Sequence, residues 1–198
     1  MRQITYVVGT IIAFLLAGVV FFQPENRELD RPVPLPNVDL ITQDGNAATQ
    51  EEFKGRWSFV YLGYTFCPDF CPAALGQMRE VKASLKAGPH LSNLHFVFIS
   101  LDPKRDTASR LKSYLAFYDP EFLGYTGSKP DLDALVAGLG QVYGFSDPNK
   151  NNYEVYHPNV FFLINDRGEY VRRFEEPGNI EQIRQGLIES IFRVRDKK

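Results

Sequence analysis

Tyr61-Leu62-Gly63-Tyr64-Thr65-Phe66-Cys67-Pro68-Asp69-Phe70-Cys71-Pro72 holds both cysteines of the chain at the junction of two contrasting patterns. Upstream, residues 58–62 (Ser-Phe-Val-Tyr-Leu) form an apolar run of the kind that fills a strand buried on both faces. Downstream, Leu75, Met78, Val81 and Leu85 recur at helical spacing toward Ala87. Thiols four residues apart at the start of a helix return to one face, so they can close a disulfide or grip a soft metal ion. In helical geometry their Cα atoms lie about 6 Å apart, inside the range a disulfide accepts. The C-x-x-x-C spacing departs from the C-x-x-C of ordinary dithiol reductases and moves weight toward the metal.

Working outward, residues 95–100 repeat the apolar run, and Thr107 is a good N-cap for a helix running to about Tyr118. A short apolar stretch at 122–125 follows, and Ser128 with Asp131 has the spacing of a capping pair ahead of a helix over 132–143. Residues 160–164 and 169–174 predict a hairpin around Asn165-Asp166-Arg167-Gly168, and Asn179 caps a closing helix with Ile180, Ile183, Leu187 and Ile191 on one face. Near the start, Asp44-Gly45 signals a small leading hairpin between residues 38–41 and 47–49. Strand, cysteine turn, helix, strand, helix, then a hairpin and a last helix is the order of an α/β thioredoxin-like fold with an added helix and an N-terminal hairpin.

The first residues are different in kind. Residues 4–22 carry no charge and only Thr5 and Thr10 as clearly polar members. As a helix they reach roughly 28 Å, enough to span a bilayer core, and they exceed the apolar stretch of a cleaved signal peptide. The expectation is a single transmembrane helix over 4–22 with a cytoplasmic tail over 1–3, Arg2 and the amino terminus staying inside. In a bacterium this places an inner-membrane anchor with its soluble domain in the periplasm, where disulfides persist. Residues 23–36, with Pro24, Pro32, Pro34 and Pro36, read as an extended spacer, leaving 37–198 as the folded domain. A net charge of -2 with interspersed signs provides no basic stripe for nucleic acid.

At the cysteine turn, unpaired N–H groups and the positive end of the helix dipole favour thiolate, so Cys67 is the better candidate for the reactive sulfur. Pro68 and Pro72 suit a rigid loop entering a helix. Of three histidines, His90 lies in a polar connector and His95 begins a strand. His157 precedes Pro158 at the mouth of the strand at 160–164, where the corresponding loop of a thioredoxin-like fold approaches the cysteine turn. Two thiolates with one imidazole suit Cu(I), whereas zinc wants a fourth ligand. The same pair also suits dithiol chemistry, with Cys67 attacking and Cys71 resolving, in which His157 is dispensable. Thr65 close before Cys67 invites a peroxidase comparison, against which the spacing and the second cysteine count. A purely structural disulfide leaves the position of the pair at the fold's reactive turn unexplained.

At these residues the chain resembles the Sco/SenC family of thioredoxin-like, membrane-anchored copper proteins associated with building the binuclear copper centre of cytochrome c oxidase. Residues 63–72 match its G-[YF]-T-x-C-P-D-x-C-P signature, Ser100 to Thr107 its S-x-D-P-x-R-D-T segment, and Val155-Tyr156-His157 ahead of a strand its single ligand histidine. The resemblance implies Cys67, Cys71 and His157 as copper ligands, with Cu(I) favoured over Cu(II). It implies a copper metallochaperone, not an enzyme; the alternative is a thiol-disulfide oxidoreductase that reduces the copper-site cysteines of the oxidase subunit. The implied partners are the copper-receiving subunit of the oxidase, with other copper chaperones or thioredoxin-like reductases at the inner membrane. Where the family often has Asp before the histidine and a small hydroxyl residue after it, this chain has Tyr156 and Pro158. Asp69 and Asp102 carry over as supporting residues, with surface turn and cap roles as the alternative.

Overall fold

A computed structural model describes residues 28–86, 93–147, 149–150, 152–175 and 178–195. The elements are β1 (Glu28–Pro34), β2 (Asp39–Thr42), β3 (Ala47–Thr49), β4 (Trp57–Gly63), α1 (Phe70–Leu85), β5 (Leu94–Ser100), α2 (Ala108–Tyr118), β6 (Leu123–Gly127), α3 (Lys129–Gly138), β7 (Gly144–Phe145), β8 (Val155–Tyr156), β9 (Val160–Ile164), β10 (Glu169–Glu175) and α4 (Ile180–Arg195). Eight strands form one sheet in the order β1-β10-β9-β4-β5-β6-β2-β3. β4, β5 and β6 run parallel, while β9 and β10 form the antiparallel hairpin beside β4.

The centre of the sheet is dry because every residue of β4 is buried, which is why that strand shows no alternation in sequence. Phe59 stacks on Phe161 at 4.8 Å between ring centres and meets Phe174 edge-on at 5.7 Å, locking β4 to the hairpin. α1 packs on α4 and α2 on β6. The leading hairpin forms as expected, with Gly45 at φ 81°, a left-handed position that a side chain would strain. Thr107 caps α2, Ser128 caps α3, and Asn179 Oδ1 accepts the Gln182 N–H at the start of α4.

Three features depart from the sequence reading. Residues 28–34, placed in the spacer by their prolines, form β1 and pair antiparallel with β10. Pro32 and Pro34 are tolerated because β1 is an edge strand, and Leu35 just beyond it is buried. α3 stops at Gly138 rather than running to Tyr143, because the Gly140 N–H bonds the Ala137 carbonyl and the Gln141 N–H the Val136 carbonyl, with Gly140 at φ 68°. The two-residue strands β7 and β8 form a separate ribbon that no periodicity announced. Among the described residues no helix is long and apolar enough to cross a membrane. The anchor expected over 4–22, the tail over 1–3 and His90 lie outside the described residues.

Candidate metal centre

β4 ends at Gly63, beyond which the chain turns, with the Cys67 N–H donating to the Tyr64 carbonyl at 3.3 Å. α1 begins at Phe70, so Cys67 lies just ahead of the helix and Cys71 in its first turn. The Cys71 N–H, one of the helix's unpaired donors, points at Cys67 Sγ at 3.4 Å. On the other side, His157 follows β8 and brings Nε2 to 3.6 Å from Cys71 Sγ. The two sulfurs and the imidazole nitrogen all lie within 4.8 Å of one another, the sole such group of three or more among the described residues. The structure therefore brings together all three of the sequence's metal candidates.

His157 Nδ1 sits 3.1 Å from the Pro158 carbonyl. A carbonyl only accepts, so this contact is a hydrogen bond in the tautomer that protonates Nδ1, and that tautomer leaves Nε2 available to a metal. Tyr61 and Tyr64 meet the imidazole edge-on at 5.8 and 6.0 Å, and the Tyr61 hydroxyl donates to Asn159 Oδ1 at 2.6 Å. The half-buried ring is thus held on two sides.

The sulfurs are electrostatically unequal. Hydrogen bonding from the Cys71 thiol, against the opposing effect of burial, and then from His157 and the N–H groups of Cys71 and Asp69, brings Cys67 down to about 3. The Cys71 thiol is pushed well up, by its hydrogen bond to Cys67 and by burial. One sulfur is a thiolate and the other holds the shared proton. Access is also unequal: a groove of about 420 Å³ is lined by Cys67, His157, Phe70, Glu154, Tyr156 and Asn159 among others, whereas Cys71 is fully buried.

The two supporting residues fall in different places, Asp69 in the surface cap role left open for it and Asp102 in the core. Asp69 is an exposed N-cap position without a side-chain capping bond. Asp102, for which a surface turn was an open reading, is buried with no exposure; it accepts from Arg105 Nε and from the Tyr153 hydroxyl. The Thr65 hydroxyl donates to Asp106 Oδ1 at 2.6 Å and accepts from Arg110 Nε at 2.7 Å, so it is engaged away from the thiol and leaves the peroxidase comparison without support. His95 pairs with Ser58, toward the end of β4 opposite Gly63, and burial pushes its imidazole down. Tyr153, Arg105 and Asp106 went unremarked as individual residues in the sequence. Only the S-x-D-P-x-R-D-T segment pointed toward two of them, and Tyr153 has no local signal because its partner is 51 residues away.

Two thiol sulfurs and one borderline nitrogen, with no fourth cysteine, histidine or carboxylate in the group, are a donor set for a soft, low-coordinate ion. Fold and site together define a thioredoxin-like protein whose cysteine turn gathers three side chains that could hold a metal ion. The chain belongs to the SCO1/SenC family, whose profile matches residues 35–191. It is 34% identical over 174 residues to an SCO2-like protein of Rickettsia felis, covering 87% of this chain and 82% of that protein. Among solved structures, Arabidopsis thaliana ScoI with copper bound aligns with a TM-score of 0.72 at 26% identity, covering 78% of this chain and 96% of that one. Yeast Sco1 with copper bound aligns with a TM-score of 0.73 at 26% identity, covering 80% and 88%.

Proposed function

We propose that this protein holds copper as Cu(I) through Cys67, Cys71 and His157 and passes it to the copper-receiving subunit of cytochrome c oxidase, as a metallochaperone and not an enzyme. The carrying observation is the convergence of two sulfurs and an imidazole nitrogen within 4.8 Å of one another beside an open groove. Membership of the SCO1/SenC family and the likeness to two relatives solved with copper support the same reading. Copper supplies only its own affinity for soft donors, so the protein's part is to hold and release it. The Cys67 thiolate and His157 face the groove, where an incoming sulfur or nitrogen ligand first meets the site. Cys71 has to give up its proton to become a ligand, so holding tightens as pH rises. The apolar stretch at 4–22 anchors the chain in the bacterial inner membrane and leaves the domain in the periplasm.

A second reading is favoured by the inequality of the sulfurs. A low-pKa thiolate at the groove and a buried thiol beside it are the attacking and resolving groups of a dithiol reductase, which would reduce the copper-site cysteines of the oxidase subunit. His157 separates the two. If copper holding is the function, His157→Ala lowers Cu(I) affinity and stops copper assembly of the oxidase, while the thiols still form and exchange a disulfide. Normal oxidase assembly in cells carrying His157→Ala at wild-type protein level, with copper limiting, would establish the reductase instead. Cys67→Ser and Cys71→Ser each abolish tight binding under the first reading.

A further inference from the structure

The turn that follows β5 reaches both halves of the metal centre. Asp106 Oδ2 accepts the Thr65 N–H at 2.8 Å and Oδ1 accepts the Thr65 hydroxyl at 2.6 Å, two residues ahead of Cys67. Asp102 Oδ1 accepts the hydroxyl of Tyr153, four residues ahead of His157. Both carboxylates are essentially inaccessible, at 0% and 1% exposure. The turn is internally braced: the Asp106 N–H donates to the Asp102 carbonyl at 2.9 Å, and Ser100 Oγ donates to Asp106 Oδ2 at 2.5 Å while accepting the Asp102 N–H at 3.1 Å. Arg105 fills the space between, its guanidinium 3.5 Å from the Tyr153 ring centre and 4.8 Å from that of Phe66, the neighbour of Cys67.

The histidine segment needs such a hold. β8 has two residues and pairs only with the equally short β7, and residues 157–159 are in no strand before β9 begins. We infer that Asp102 and Tyr153 are positioning residues for His157. The buried Asp102 carboxylate clamps the Tyr153 phenol while Asp106 on the same turn clamps Thr65, so one rigid turn sets the distance between imidazole and thiols. A hydrogen bond to an ionised, buried acceptor is the strong kind, and it leaves Asp102 under-satisfied if the phenol is removed. The inference rests on the copper-holding reading for its metal arm only.

The test uses the full chain, reduced and purified in detergent, with Cu(I) affinity measured by competition against a chromogenic chelator. Tyr153→Phe removes one oxygen and almost no volume, and it is expected to weaken Cu(I) binding about tenfold. Added to His157→Ala, the same substitution is expected to weaken binding no further, because its effect passes through the imidazole. Asp102→Asn keeps the shape and an oxygen for the phenol but not the charge; it should weaken binding less, with the same dependence on His157. In the metal-free chain, Tyr153→Phe should speed amide hydrogen exchange over 152–159 while β4 and β9 keep their protection. Equal weakening by Tyr153→Phe with and without His157, or wild-type affinity in both Tyr153→Phe and Asp102→Asn, overturns the assignment. Should the unaltered chain hold no copper, the copper reading fails, and exchange alone decides: faster local exchange upholds the clamp and unchanged exchange overturns it.

Discussion

A β-carbon placed on Gly63 would stand 2.6 Å from Cys71 Sγ, so the last residue of β4 must be glycine for the buried thiol to keep its position. Phe98 closes the same space, with ring atoms 2.9 and 3.0 Å from that point, so an added methyl presses on the sulfur and the ring together. Gly63→Ala is therefore expected to displace Cys71 and to cost about 1–3 kcal/mol of stability through overpacking. Cu(I) affinity should fall about tenfold or more as the three donors lose register. Thermal melts and chelator competition on the same samples measure both. Wild-type affinity in a destabilised Gly63→Ala chain would mean that the sulfur position is not what sets copper holding.

The unequal sulfurs predict a pH profile. Folding lowers Cys67 from the ordinary 9.0 to about 3, so between those values the folded chain binds fewer protons than the unfolded one. The stabilisation from this group is complete above 9.0 and is lost as pH falls toward about 3. Cys71 has the opposite sign: its raised pKa stabilises the protonated folded form, a contribution that declines as pH climbs above 9.0. In the reduced, metal-free protein, iodoacetamide should label Cys67 at a rate nearly constant from neutral pH down to about pH 5, where an ordinary thiol has lost its reactivity. Cys71 should remain unlabelled until the protein unfolds. Mass spectrometry of the quenched reaction locates the label, and a rate that climbs tenfold per pH unit through neutrality would remove the low-pKa thiolate.

The central strands and the cysteine half of the site were legible because the signals are local. The apolar run of β4, the helical spacing of Leu75, Met78 and Val81, and the caps at Thr107, Ser128 and Asn179 each specify structure within a few residues. His157 was legible only once the fold was assumed, since nothing around it in sequence points to Cys71, 86 residues away. The edge strand β1 was hidden because proline content normally argues against a strand, and the argument fails where the N–H groups face no partner. Asp102 was hidden for a related reason: an aspartate before a proline reads as a solvated turn, and its burial depends on Tyr153 arriving from 51 residues away to join Arg105 of the same turn.

β1 predicts where the domain can be cut. Glu28 Oε2 receives Arg193 Nη1 at 2.8 Å and Arg172 Nη2 at 3.3 Å, and the nearly buried Arg172 also reaches Glu189 at 3.2 Å and the Gly186 carbonyl at 2.8 Å. A chain trimmed to begin at residue 28 keeps this cluster and the β1–β10 pairing; one beginning at residue 37 loses both and bares the edge of β10. The longer form is expected to melt as the full domain does, and the shorter one to melt at clearly lower temperature. Glu28→Gln isolates the ionic part. Because Glu28 is partly exposed and Glu189 still faces Arg172, the loss should be only about 1 kcal/mol, and it should shrink as salt is added. Two strands separate β1 from β4, so Glu28→Gln should leave Cu(I) affinity at its wild-type value. Equal melting temperatures for the forms beginning at 28 and 37 would return residues 28–36 to the spacer.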